Sequence, residues 1–68
     1  MTLRQLLDIT DLVLYVAVRQ NGQVVWGGDL AVKLLYDVTS GKVDFGDMEV
    51  DFISIEDSDT LYLVLEDR

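Results

Sequence analysis

The chain has 68 residues, a formal net charge of −8 from 13 acidic and 5 basic side chains, and neither His nor Cys. That length bounds it to one domain, and the missing residue types exclude disulfides, thiolate metal sites, ordinary zinc sites and imidazole acid–base chemistry. So few cations argue against direct nucleic-acid binding, whose affinity rests on Lys and Arg at phosphates, and against anionic membrane surfaces.

Half of the residues are hydrophobic and the mean hydropathy is +0.26. A domain of this size buries only about 60% of the surface its unfolded chain exposes, so so many apolar side chains exceed what one small core can hold. Some are expected at a subunit or partner interface, and a homo-oligomer is expected. The start Met1-Thr2-Leu3-Arg4-Gln5 lacks the basic stretch and apolar run of a signal peptide. No segment approaches the roughly 20 apolar residues of a membrane span. A cytoplasmic protein is the default expectation.

Taken in chain order, Thr2 to Gln5 fits a capping box, with Thr at the N-cap and Gln three residues on. Leu3, Leu6 and Leu7 then fall on one face of a short helix ending near Ile9. Leu12 to Arg19 reads as a strand with Leu12, Leu14, Val16 and Val18 on one side. Asn21-Gly22 is a hairpin signal, because a type I′ turn needs positive φ at both central residues. Gln23 to Gly27 returns as the second strand.

A two-residue turn sets a register in which Arg19 faces Val24, Val18 faces Val25 and Ala17 faces Trp26. Gly27-Gly28-Asp29 breaks that strand and offers Asp29 as an N-cap. Leu30, Ala31, Leu34, Leu35 and Val38 follow the helical period, and Gly41 is the expected stop. Lys42 to Asp47 reads as a loop or short edge segment.

Met48, Val50 and Phe52 alternate with Glu49 and Asp51, and the phase slips at Ile53 and Ile55. Either a β-bulge near Phe52 or a strand buried on both sides accounts for the slip. Glu56 to Asp59 makes a turn, and Thr60 to Leu65 is the last strand, with Leu61, Leu63 and Leu65 opposite Tyr62 and Val64. The expected fold is α+β, in the order helix-strand-strand-helix-strand-strand. Two hairpins form a four-stranded antiparallel sheet with two short helices on one face. There is no internal repeat, no Pro and no low-complexity linker.

Catalysis has little to draw on. Ser40, Ser54 and Ser58 have no visible activating base, and Lys33 and Lys42 have no desolvating context. No catalytic residue and no cofactor are expected. Glu56-Asp57-Ser58-Asp59-Thr60 is acidic, but it is too short for an EF-hand loop and lacks its Gly and terminal Glu. It reads as a solvated turn, and no metal site is expected.

Two surfaces stand out. Asp44, Asp47, Glu49 and Asp51 continue an acidic strip from Asp37. Glu49 and Asp51, two apart on a strand, would project from one face about 6.5–7 Å apart. Such a row either imitates a nucleic-acid backbone toward a basic cleft or is an ordinary solvated edge. The hairpin register gathers Tyr15, Ala17, Arg19, Val24 and Trp26 on the face turned from the core. Trp, Tyr and Arg are enriched at interface hot spots, and an Arg beside a Trp can stack as a cation–π pair. That face either meets a partner or another copy, or is covered within the chain.

With this order of elements, the chain resembles small acidic phage and prophage proteins of Gram-positive bacteria. The resemblance rests on the start Met1-Thr2-Leu3-Arg4-Gln5-Leu6-Leu7, the hairpin at Asn21-Gly22, and the helix segment Val32-Lys33-Leu34-Leu35. The ending Ile53-Ser54-Ile55-Glu56-Asp57 with Leu61-Tyr62-Leu63 completes it. It covers the whole chain and carries over no functional residue. Some such proteins inhibit bacterial antiviral defence, so the resemblance implies an anti-defence protein that binds a host immune protein. The alternatives are a sponge that sequesters a nucleotide signal between subunits, and a virion structural or assembly factor.

Overall fold

The computed structural model describes residues 1–55 and 59–67. Its elements are α1 (Leu3–Ile9), β1 (Tyr15–Gln20), β2 (Gln23–Leu30), α2 (Ala31–Thr39), β3 (Val50–Ile55) and β4 (Thr60–Leu65). The fold is α+β with the expected order of elements. The turn assigned to Glu56 through Asp59 lies, apart from Asp59, outside the described residues.

Local chemistry explains the element ends. In α1, Thr2 Oγ1 accepts from the Gln5 amide at 3.2 Å and Gln5 Oε1 accepts from the Thr2 amide at 2.9 Å, so two orphan donors are satisfied reciprocally. Asn21 and Gly22 both have positive φ, at 54° and 76°, as a type I′ turn demands. Gly41, at φ 78°, ends α2.

The start of α2 departs from expectation. Strand β2 runs through Asp29 to Leu30, so Leu30 rather than Asp29 is the N-cap, and no side chain caps the helix. Asp29 Oδ1 instead accepts from the Leu30 amide at 2.7 Å. The first free amides of α2 find partners in the preceding connection: Ala31 N donates to Leu14 O at 2.8 Å and Val32 N to Leu12 O at 3.1 Å. This is why Leu12 and Leu14 are not strand residues. Their carbonyls close a helix end, and β1 begins only at Tyr15.

The sheet is mixed rather than antiparallel throughout. Its order is β2-β1-β4-β3, with β1 and β4 parallel in the centre and each hairpin partner antiparallel at an edge. Parallel neighbours need a crossover, and α2 supplies it. The two strands with the most apolar alternation take the central places, while strands carrying Gln23, Asp29 and Asp51 lie outside.

Val16, Val18, Leu63 and Leu65 define the inner face of the sheet. They form one buried cluster with Leu3 and Leu7 of α1, Ala31, Leu34 and Val38 of α2, and Phe45 of the α2–β3 loop. On β3 the register shifts between Val50 and Phe52. The bulge therefore accounts for the slipped apolar phase, and burial on both sides does not, because Phe52, Ile53 and Ile55 are all exposed.

The loop before β3 is anchored to the chain start. Leu3 N donates to Met48 O at 2.9 Å, Arg4 N to Gly46 O at 2.8 Å, and Val50 N to Met1 O at 2.9 Å. Gly46 is buried there, and a Cβ added to it would stand 2.6 Å from Val38 Cγ1. Gly46→Ala is therefore expected to destabilise the domain by about 1–3 kcal/mol through overpacking. Gly28→Ala, where a Cβ meets open space, should stay within about 0.5 kcal/mol. Midpoints of urea unfolding compare the two, and equal midpoints would mean that the Gly46 contact carries no strain.

Candidate functional site

The candidate outer face depends on the β1–β2 register. Gln20 pairs with Gln23 and Arg19 with Val24, as the two-residue turn requires. The next pair is Val18 with Trp26, so Val25 is an extra residue in β2. A second irregularity follows before Val16 pairs with Asp29, and it absorbs Gly27 and Gly28 opposite Ala17. The expected pairing of Ala17 with Trp26 is corrected by that first bulge.

One residue of slip moves a side chain to the other face. Trp26 turns inward with Val18 and packs against the core cluster. Its indole Nε1–H donates to Asp37 Oδ2 at 3.0 Å, and Asp37, on α2, is only 7% exposed. Magnitudes favour this arrangement. An aromatic ring brings about 150–250 Å² of burial, worth up to several kcal/mol at about 25 cal/mol/Å². The ladder hydrogen bond that a bulge disturbs nets only about 1 kcal/mol. Asp37, the start of the expected acidic strip, thus holds the indole and does not belong to a solvated row.

The outer face is reassembled from both hairpins. Arg19 pairs laterally with Val24 on one side and Val64 on the other, and Val64 pairs with Phe52. One row thus crosses all four strands. In the next row Ala17 stands beside Tyr62, and Tyr62 beside Ser54. The Arg19 guanidinium carbon lies 4.6 Å from the Tyr62 ring centroid, so the cation–π partner of Arg19 is Tyr62 and not Trp26. Ala17 is buried among these larger neighbours, whereas Tyr15 is 50%, Val24 53% and Phe52 55% exposed.

Of the five candidate residues, four therefore share the outer face and Trp26 leaves it. Tyr62, Val64 and Phe52 join it. Their alternation was readable in β3 and β4, but no local signal announces that β4 lies beside β1.

The four acidic candidates do not form one bare row. Glu49 Oε2 lies 2.6 Å from the Met1 amine, and Asp47 Oδ1 lies 3.3 Å from Arg4 Nε. The bulge at Asp51 breaks the alternation that was to align Glu49 with Asp51. Asp44 lies apart in the α2–β3 loop. There Gln20, Val25, Gly41, Lys42, Val43, Asp44 and Phe45 line an open depression of about 480 Å³. The depression holds one cation, Lys42, and one carboxylate, Asp44, so its lining offers no net positive charge to a phosphate.

Among the described residues, no group of three or more acidic side chains is placed to hold a metal ion. No helix among them is long and apolar enough to cross a membrane.

Placement of Trp26 gives a direct test. Trp26→Phe keeps a ring in the core but removes the donor to a buried carboxylate, and should destabilise by about 1–3 kcal/mol. Val24→Ala, on the exposed outer face, should change stability by less than about 0.5 kcal/mol. Chemical denaturation measures both, and a neutral Trp26→Phe would remove the structural role of the indole hydrogen bond. No family model, no curated protein and no solved structure matches this chain.

Proposed function

We propose that this domain works by binding another protein, without catalysis, through the outer face of its sheet. The observation that carries the reading is the row Val24–Arg19–Val64–Phe52 with Tyr15 and Tyr62 beside it. Tyr15, Val24 and Phe52, each at half exposure or more, and the partly buried Val64 surround a cation stacked on an aromatic ring. Rigid aromatic and Arg groups of this kind anchor interface hot spots. The reading takes both helices to lie over the inner face, which the membership of their buried side chains in one cluster supports.

The sequence contributes two further supports. A chain with no His and no Cys has few groups for acid–base or nucleophilic work. A net charge of −8 favours a partner with a basic surface and steers its approach. The resemblance to small phage proteins makes a bacterial immune protein, met in the host cytoplasm, the first partner class to test. Inhibition would then follow from occupying that protein's surface.

The test uses immobilised wild-type domain and two outer-face variants, Tyr15→Ala and Val24→Glu, against lysate of a defence-competent bacterium. A retained protein should be lost at least tenfold with either variant and kept with Ile9→Ala, an exposed position on α1. Retention that is absent in wild type, or unchanged by the variants, would sink the reading. A melting-temperature rise of several degrees with one cyclic nucleotide, and no protein retained, would favour the nucleotide sponge instead. Co-purification with virus particles would favour the structural factor.

A further inference from the structure

We infer that the depression beside the first bulge is a small-molecule site, whose ligand is a mostly apolar, uncharged ring carrying one N–H or O–H donor. Bulges re-aim side chains, and they recur next to functional sites. Val25, the extra residue of β2, lines this depression together with Val43 and Phe45 of the α2–β3 loop. Gln20 lines it too, and shares a face of β1 with Val16 and Val18. The site therefore opens on the inner side of the sheet, apart from the face proposed to meet a protein.

The side chain of Gln20 carries the argument. Gln20 is only 6% exposed, and its Nε2 donates to Glu66 O at 2.9 Å. A carbonyl accepts only from the amide nitrogen, so that bond fixes which way the carboxamide points. Among the described residues none donates to Oε1, and no buried side-chain polar atom lacks a partner. Oε1 is thus reached by solvent, and Gln20 meets the depression. The outcome is an oriented acceptor, on a side chain more than nine-tenths buried, turned into a cleft with apolar walls.

The walls are held in place. Lys42 N and Val43 N both donate to Asp37 O, at 2.9 and 3.3 Å, while the Asp37 carboxylate accepts from Trp26 at 3.0 Å. Loop wall and strand wall are thus fixed to one residue of α2, and the site is formed before a ligand arrives. Its volume of about 480 Å³ suits a small molecule. Lys42 and Asp44 leave it without net charge, and a chain of net charge −8 disfavours an anion. A nucleobase would set several polar atoms against Val25, Val43 and Phe45, where they lose their hydrogen bonds to water. A ring with a single donor aimed at Gln20 Oε1 loses none. The site stands or falls independently of the outer-face reading.

Amide NMR of the isotope-labelled chain, titrated with indole, tests this. The Gln20 side-chain amide and the Val43 and Phe45 backbone amides should shift saturably, with a Kd on the order of millimolar for so small a probe. N-Methylindole has the same ring without the donor, and should bind about fivefold more weakly, the worth of one net hydrogen bond. Val25→Trp, at a partly exposed position, should fill the space and abolish the shifts. Gln20→Leu should bring the two probes to equal affinity. Where that variant loses its fold, the comparison of the two probes on the wild type still decides.

Four results would each overturn the proposal: no saturable shift with indole, N-methylindole bound as tightly as indole, shifts centred on Tyr15 and Val24, or adenosine bound more tightly than indole. The last of these would return the depression to the nucleotide reading.

Discussion

A single extra residue, Val25 in β2, governs more of this molecule than any other local feature. By displacing the register after Arg19 and Val24, it turns Trp26 inward to meet the Asp37 carboxylate on α2. The edge strand is thereby tied to the helix that crosses over the sheet. The same displacement clears the indole from the outer face, where Arg19 stacks on Tyr62. It also spoils the regularity of one sheet edge. Three consequences in three parts of the molecule thus trace to one slip, because side-chain direction along a strand has a period of two.

How much of this the amino-acid sequence announces varies with the range of the interaction. The capping box at Thr2 and Gln5, the turn at Asn21-Gly22, the stop at Gly41 and the alternation of Leu61, Leu63 and Leu65 are all local chemistry, and all are present. The phase slip at Phe52 left a bulge or burial on both sides open, and the structure has the bulge. What could not be read is how the hairpins meet. Antiparallel and parallel contact between β1 and β4 present the same alternation, and only the packing of α2 selects between them. The bulge at Val25 was hidden for a related reason. Its driving force is an acceptor on Asp37, eleven residues further along the chain.

The candidate surfaces show the same division. Tyr15 and Arg19 were legible on the outer face because the extra residues lie in β2 and leave the alternation of β1 unbroken, and Val24 because it precedes the first slip. Trp26 was misplaced because it lies past the bulge. The acidic strip looked continuous in sequence, yet its carboxylates face different tasks. Asp37 holds an indole, and Asp47 and Glu49 meet cations at the chain start. Exposed ion pairs of this sort contribute little to stability. Here they neutralise part of a surface that sequence alone reads as uniformly negative.

The central position of β4 has a consequence for how the chain comes to be folded at all. Of the four strands, the one that leaves the ribosome after the others is inserted in the middle of the sheet, beside β1. Until it arrives, the first hairpin is a two-stranded ribbon, marginal by itself, and β3 has no neighbour. The loop spanned by the β1–β4 contact must close before its reward is collected, which slows folding and makes it all-or-none. The nascent protein therefore spends its synthesis with Val16, Val18 and the rest of the inner face uncovered. A net charge of −8 repels neighbouring chains until β4 closes the sheet.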